Sequence, residues 1–154
     1  MLNFIFSNET DVAIPGKFFS KIVAEFSKNL KSRIKSVLTC KNGEISLNLI
    51  KDLEIKLLNS KYRNKNSVTD VLSFAYIENG KCQIGECGII LIGDIFISID
   101  TAKKQALEHK HGLKKELAVL FTHGLLHLFG FNHRNDKEEA EMEKYSRKVL
   151  KHLV

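Results

Sequence analysis

Leu117-Ala-Val-Leu-Phe-Thr-His-Gly-Leu-Leu-His-Leu-Phe-Gly-Phe-Asn-His133 carries two signals at once. Apolar residues occupy most of the circumference of a helix over 117–129, so that helix is expected to lie buried at the centre of the fold. The same segment holds three of the six histidines of the chain. His123 and His127, four apart, project from one helix face about a turn from each other. Gly130 stands where a helix would stop on a left-handed residue, and the turn it permits brings His133 back towards the pair. Polar side chains gathered on a buried helix must have their ring nitrogens satisfied, by hydrogen bonds or by a metal ion. Three neutral imidazoles on one divalent ion leave a coordination position open, as in catalytic zinc sites, and the expectation is a metal-dependent hydrolase.

Positions 123, 127, 130 and 133 follow His-x-x-x-His-x-x-Gly-x-x-His, the zinc-binding spacing of metzincin proteases. In zincins a glutamate follows the first histidine and acts as general base; here that position is Gly124. A metal can still lower the pKa of a water ligand towards ~7 by charge alone. Such a site suits a substrate whose own anionic oxygens reach the ion, a phosphodiester for example.

Outward from this helix, the chain reads as strand and helix in alternation. Leu2–Phe6 is β-prone, Pro15-Gly16 punctuates, and Phe18, Phe19, Ile22, Val23 and Phe26 recur at helical spacing. After the turn signal Asn42-Gly43, alternating Ile45, Leu47 and Leu49 predict a second strand, and Asp52 is expected to cap a helix running to Arg63. Val71–Tyr76 and Ile89–Ile99 predict two more strands, with Gly93-Asp94 marking a bulge or a close backbone approach. Asp100 is expected to cap the next helix, and Asn135 or Asp136 the last, whose acidic start and basic end suit the helix dipole. The pattern is α+β: one domain over 1–154, with a small four-stranded sheet packed by about five helices and the histidine helix buried at its centre.

A formal net charge of +6 and a pI near 9.2 favour an anionic partner. Lys17, Lys21, Lys28, Lys31, Arg33 and Lys35 face only Glu25 in one stretch, and Lys103, Lys104, Lys110, Lys114 and Lys115 form a second basic group. Beside a hydrolytic metal site, these clusters make nucleic acid a natural substrate. No segment is long and apolar enough to cross a bilayer, and no basic leader with an apolar run opens the chain, so a cytoplasmic location is expected. Three cysteines, including Cys82 and Cys87, are expected to be free thiols.

Three blocks carry a family resemblance. They are Leu58-Asn-Ser-Lys-Tyr-Arg63 leading to Thr69-Asp-Val-Leu-Ser-Phe74, then Ile92-Gly-Asp-Ile-Phe-Ile-Ser98, then the His123–His133 motif. In this order they resemble the YbeY family of bacterial endoribonucleases. The resemblance implies a single-strand-specific, metal-dependent endoribonuclease acting in ribosomal RNA processing, including maturation of the small-subunit 3′ end, and in ribosome quality control. It implies His123, His127 and His133 as ligands of one zinc ion, with His123 and Arg63 in the catalytic cleft. Single-stranded RNA and the ribosome or its small subunit are the implied partners.

Arg63 presents a permanent planar cation suited to phosphate oxygens. Asp70 and Asp94, at strand edges, read more readily as turn residues than as catalytic ones, and Glu116, seven residues before His123, is at most a backing residue. One departure stands out: the family usually has Asp immediately before the third histidine, where this chain has Asn132, whose amide can hold a hydrogen bond but cannot accept a proton as a carboxylate does. Two other readings remain alongside: a zinc metallopeptidase, favoured by spacing and opposed by Gly124, and a non-catalytic ribosome assembly factor with a structural metal.

Overall fold

Alternating Ile45, Leu47 and Leu49 build β2 (Gly43–Ile50), and all three side chains are at most 1% exposed. A strand so buried needs neighbours on both edges, and it has them. The computed structural model describes residues 1–38, 42–77, 83–84 and 88–154, with Gln83 and Ile84 described by backbone alone. The elements run β1 (Leu2–Asn8), α1 (Gly16–Asn29), α2 (Lys31–Leu38), β2, α3 (Asp52–Arg63), β3 (Val71–Ala75), β4 (Gln83–Ile84), β5 (Ile90–Ser98), α4 (Ile99–Glu108), α5 (Leu113–Leu128) and α6 (Asp136–Leu150). The main sheet has the order β1-β2-β5-β3, with the two-residue β4 pairing β5 off this path. β1, β2 and β5 are parallel, and β3 runs antiparallel to β5. The expected α+β class and four principal strands hold.

α5 packs against β3, β5, α1, α4 and α6, the position its apolar circumference predicts. Phe19, Ile22 and Phe26 of α1 join Phe121, Leu125 and Leu126 of α5 in the main core, all fully buried. The other face carries a smaller cluster, in which Ile55 of α3 meets Ile50 and Leu72.

Six helices form among the described residues instead of about five. α2 buries only Leu38, so its lysine-rich sequence shows little apolar period, and it follows α1 almost without a break at Leu30. Neither Asp52 nor Asp100 caps the helix it was expected to cap. Asp52 does not cap α3; its carboxylate accepts hydrogen bonds from Ser98 Oγ and Thr101 Oγ1 at the start of α4 and pairs with Lys104 at 3.2 Å. Ser98, not Asp100, caps α4, while Asp100 accepts from the Asp52 backbone N–H at 3.1 Å. β2 and β5 are parallel neighbours, so the helices that follow them start side by side and share partners. Asn135 caps α6 as expected, accepting from Glu138 N at 3.0 Å. Cys82 and Cys87, with most of the 77–88 segment, lie outside the described residues.

Gly93 is both things its sequence position suggests. The β2–β5 register slips between Glu44 and Ile45, skipping Ile92, and a Cβ at Gly93 would stand 2.2 Å from the Phe74 carbonyl oxygen and 2.7 Å from Leu128 Cδ2. Next to it, the Asp94 carboxylate accepts from Ser46 Oγ and from the Tyr76 hydroxyl. Burial, reinforced by that carboxylate, pushes the Tyr76 phenol up to about 12.

Gly93→Ala is expected to destabilise the protein by about 3 kcal/mol, because the carbonyl it strikes is backbone and cannot turn aside. A urea midpoint equal to wild type would refute that packing. Folding holds the Tyr76 proton more tightly than the unfolded chain does, so its contribution is complete below the ordinary tyrosine value of ~10 and is lost as pH rises from there through about 12. Unfolding free energy measured across that window should fall less steeply for Tyr76→Phe than for wild type.

Candidate metal centre

α5 ends in a Schellman turn. Gly130 takes φ 84°, its N–H bonds His127 O at 3.0 Å, and Phe131 N–H bonds Leu126 O at 3.0 Å. From α2, Arg33 Nε donates to Phe129 O at 2.8 Å, and its guanidinium lies 5.5 Å from the Phe131 ring centroid, so a cation meets the carbonyl end of the helix. The turn brings His133 back as its glycine suggested: its ring centroid stands 5.7 Å from that of His123 and 5.3 Å from that of His127.

The ring nitrogens are set by their partners. His127 Nδ1 faces Phe131 O at 3.0 Å; a carbonyl only accepts, so Nδ1 carries the proton and Nε2 of the neutral ring keeps its lone pair. That Nε2 lies 2.9 Å from His123 Nε2. Ring nitrogens of all three histidines lie within 4.8 Å of one another. Burial, then the neighbouring His127 and His133, pulls the His123 pKa down to about 4, with Asp70 opposing. His127 is also lowered, by burial first, against the pull of its Phe131 hydrogen bond, with His133 and Arg63 adding to the depression. These two rings are therefore neutral near pH 7, as metal ligands must be. Ligand atoms on a zinc ion with bonds of 2.0–2.1 Å at tetrahedral angles stand about 3.3 Å apart. The donor set suits a divalent ion of that kind.

A cavity of about 330 Å³ opens over the histidines, lined also by Arg63, Asp70, Val71 and Ser73. Arg63, from the end of α3, is exposed; its Nη2 donates to Ser73 O at 3.2 Å, and its guanidinium lies 6.0 Å from the Phe74 ring centroid. Two blocks distant in sequence thus meet in one cleft. A larger cavity, about 520 Å³, lies beyond the 129–133 turn and is lined by Arg33, Asn132 and Tyr145 among others, but by none of the three histidines. Asn132 faces that cavity and does not line the histidine cleft.

Other residues singled out in the sequence take different places. Asp70 lines the cleft and also holds the chain together: Oδ1 accepts from Val71 N at 2.7 Å, and Oδ2 from Gln105 Nε2 at 3.0 Å. Asp94 lies outside the cleft, bonded to Ser46 and Tyr76. Glu116 does not back the three histidines; it contacts His109 and His111 instead. Glu139 and Glu143 were not anticipated. They border a second cavity of about 320 Å³ that shares His123 and His133; Glu139 stands in the acidic first turn of α6, for which the helix dipole was a sufficient explanation, while Glu143 lies mid-helix, 3.8 Å from Arg147.

Gly124 has a structural reason. A Cβ there would stand 2.9 Å from Ile95 Cγ2 and 3.1 Å from Ser73 Oγ, so the position faces the sheet and offers no room for the zincin glutamate.

A family model described as endoribonuclease YbeY matches residues 5–154. An endoribonuclease YbeY of Spiroplasma citri is 37% identical over 153 residues, covering 98% of this chain and 93% of its own length. The corresponding protein of Oceanobacillus iheyensis is 41% identical over 111 residues, covering 70% of this chain and 72% of its own. In fold, the chain is similar to a Thermotoga maritima protein solved in solution, with a TM-score of 0.62 at 22% identity over 97% of this chain and 90% of the other. The chain belongs to the YbeY family of endoribonucleases.

Gly124→Glu is expected to cost at least about 3 kcal/mol of stability, since it forces a carboxylate against buried Ile95. Chemical denaturation measures it; a variant as stable as wild type would mean that the helix stands off the sheet.

Proposed function

We propose that residues 1–154 form one domain that cleaves single-stranded RNA with a metal ion, acting in ribosomal RNA processing, including the 3′ end of the small-subunit RNA, and in ribosome quality control. Its site is cytoplasmic and its partners are RNA and the ribosome or its small subunit. The observation that carries this reading is the meeting of His123, His127 and His133 with Arg63 in one open cleft, in a chain of this family.

In this reading the three histidines would hold one zinc ion. When bound, the ion supplies a Lewis acid and a source of hydroxide near neutral pH. The Phe131 carbonyl fixes the His127 tautomer, so that its Nε2 is available without rearrangement. Arg63 binds the scissile phosphate: one Nη2 contact to Ser73 O anchors the guanidinium, and its remaining donors have no hydrogen-bond partner among the described residues. A fixed planar cation there stabilises the charge that grows on the phosphoryl oxygens. Glu139 and Glu143 on the α6 side repel the RNA backbone and leave the Arg63 side as its path. The packing of Gly124 argues against the peptidase alternative, because no carboxylate can occupy the base position.

Purified protein is expected to cut an unstructured RNA and to lose this activity in chelator and in His123→Ala. Arg63→Ala should lower kcat/KM by about 100- to 1,000-fold, with Arg63→Lys recovering only part. Cleavage unchanged in His123→Ala would sink the assignment, as would zinc retained near full occupancy when each histidine of the three is replaced in turn. Hydrolysis of casein by the zinc-loaded protein would favour the peptidase, and RNA binding without cleavage under any metal the assembly-factor reading.

A further inference from the structure

The corner between α4 and α5 gathers a second set of metal-ligating side chains, separate from the cleft. His109 closes α4, and the chain then turns through a second Schellman arrangement: Lys110 N–H bonds Leu107 O at 3.1 Å and His111 N–H bonds Ala106 O at 3.0 Å. Lys110 occupies the left-handed position with φ 55°, where glycine is the usual residue. This turn lets two histidines only two apart face the same group. That group is Glu116, at the start of α5. His109 Nδ1 and His111 Nε2 each lie 3.0 Å from its Oε2.

The corner sets a buried carboxylate against two imidazoles. Glu116 is 2% exposed, and a carboxylate so buried requires a compensating positive charge or full hydrogen bonding. His111 Nδ1 faces the Gly112 carbonyl oxygen at 3.3 Å, which can only accept, so Nδ1 carries the proton. In the neutral ring, Nε2 then presents a lone pair to a carboxylate lone pair at 3.0 Å. A metal ion standing between them would take both lone pairs. His109 Nδ1 meets the same carboxylate oxygen at 3.0 Å, and with its proton on Nε2 it too turns a ring lone pair towards that oxygen. One divalent ion would compensate the buried carboxylate and take both ring lone pairs.

We propose that His109, His111 and Glu116 form a second metal site, which takes a divalent first-row transition ion such as zinc and pins the end of α4 to the first turn of α5. One ligand atom from each residue lies within 4.8 Å of the others, and the two 3.0 Å separations approach the about 3.3 Å edge of a tetrahedral zinc shell. Two imidazoles and one carboxylate select zinc, cobalt or nickel over magnesium and calcium, which prefer all-oxygen shells. Entry is from solvent through His109, whose side chain is 57% exposed, while the buried carboxylate anchors the ion from within. Lys110, Lys114 and Lys115 are exposed around the corner, and solvent screens their charge more than it screens direct ligands. Glu116 precedes His123 by seven residues, about 10 Å along the helix, so the two sites are distinct and share α5 as a strut.

Metal-free protein titrated with cobalt(II) near neutral pH tests the proposal, with d–d absorption following the coordination and elemental analysis after dialysis giving the stoichiometry. Wild type is expected to take up two equivalents. His109→Ala, at an exposed position that leaves the fold intact, and His111→Ala should each lose one and keep the other. The double variant His123→Ala/His127→Ala should lose the cleft equivalent and keep the corner one. Zinc should also shift the ring nitrogen resonances of His109 and His111 in the double variant. Uptake in His109→Ala and His111→Ala identical to wild type would overturn the second site, as would absent ring shifts in the double variant. Loss of binding confined to the cleft variant bears only on the proposed function, and the two readings therefore fail separately.

Discussion

The close approach of α5 to the sheet governs the rest of the molecule. Two glycines make it possible from opposite sides: Gly124 lets the helix backbone come down on Ile95 and Ser73, and Gly93 lets the strand rise against Leu128 and the Phe74 carbonyl. Interiors are packed densely enough that a single extra carbon at such a contact is felt. With the helix held there, His123 and His127 are carried to the rim of β3 and not left inside the core, and both are half-buried. The cleft exists because one face of α5 is pressed flat and the adjacent face is lifted just clear.

Electrostatics then separates the sides of that cleft. Arg63 enters from the end of α3, where its anchorage to Ser73 O fixes it over β3, and two carboxylates of α6 stand on the side of His123 and His133 away from it. Under the proposed function, attraction from the Arg63 side and repulsion from Glu139 orient a polyanion before any chemistry. The net charge of +6 acts at longer range, drawing RNA to the surface without choosing a position on it.

Much of this was legible in the sequence where a single local rule sufficed. The apolar circumference of 117–129 gave the central helix, alternation gave β2, and Gly130 announced the turn that returns His133. The family resemblance joined Arg63 to the histidines, which no spacing rule could do across a separation of 60 positions. What stayed hidden left no local pattern, or left one that another reading already explained. α2 has too few buried residues to show a period, Glu116 pairs with residues across a corner, and the acids at the start of α6 looked fully explained by the helix dipole. Asn132 drew attention by its neighbour in the motif, yet its side chain belongs to the cavity beyond the turn.

The crossed contacts between the starts of α3 and α4 carry a consequence for how this sequence can drift. Asp100 completes the start of α3 and Asp52 completes the start of α4, each reaching across 48 positions or so to serve the helix that the other begins. Ser98 and Glu54 cap these helix starts locally, and the crossed contacts add a link that exists only when β2 and β5 lie side by side. α3 ends in Arg63, and α4 leads into the helix that bears His123 and His127. The pair Asp52 and Asp100 is therefore the joint that indexes the two halves of the cleft, and substitutions at these positions are coupled, each tolerated or rejected according to what the other has become.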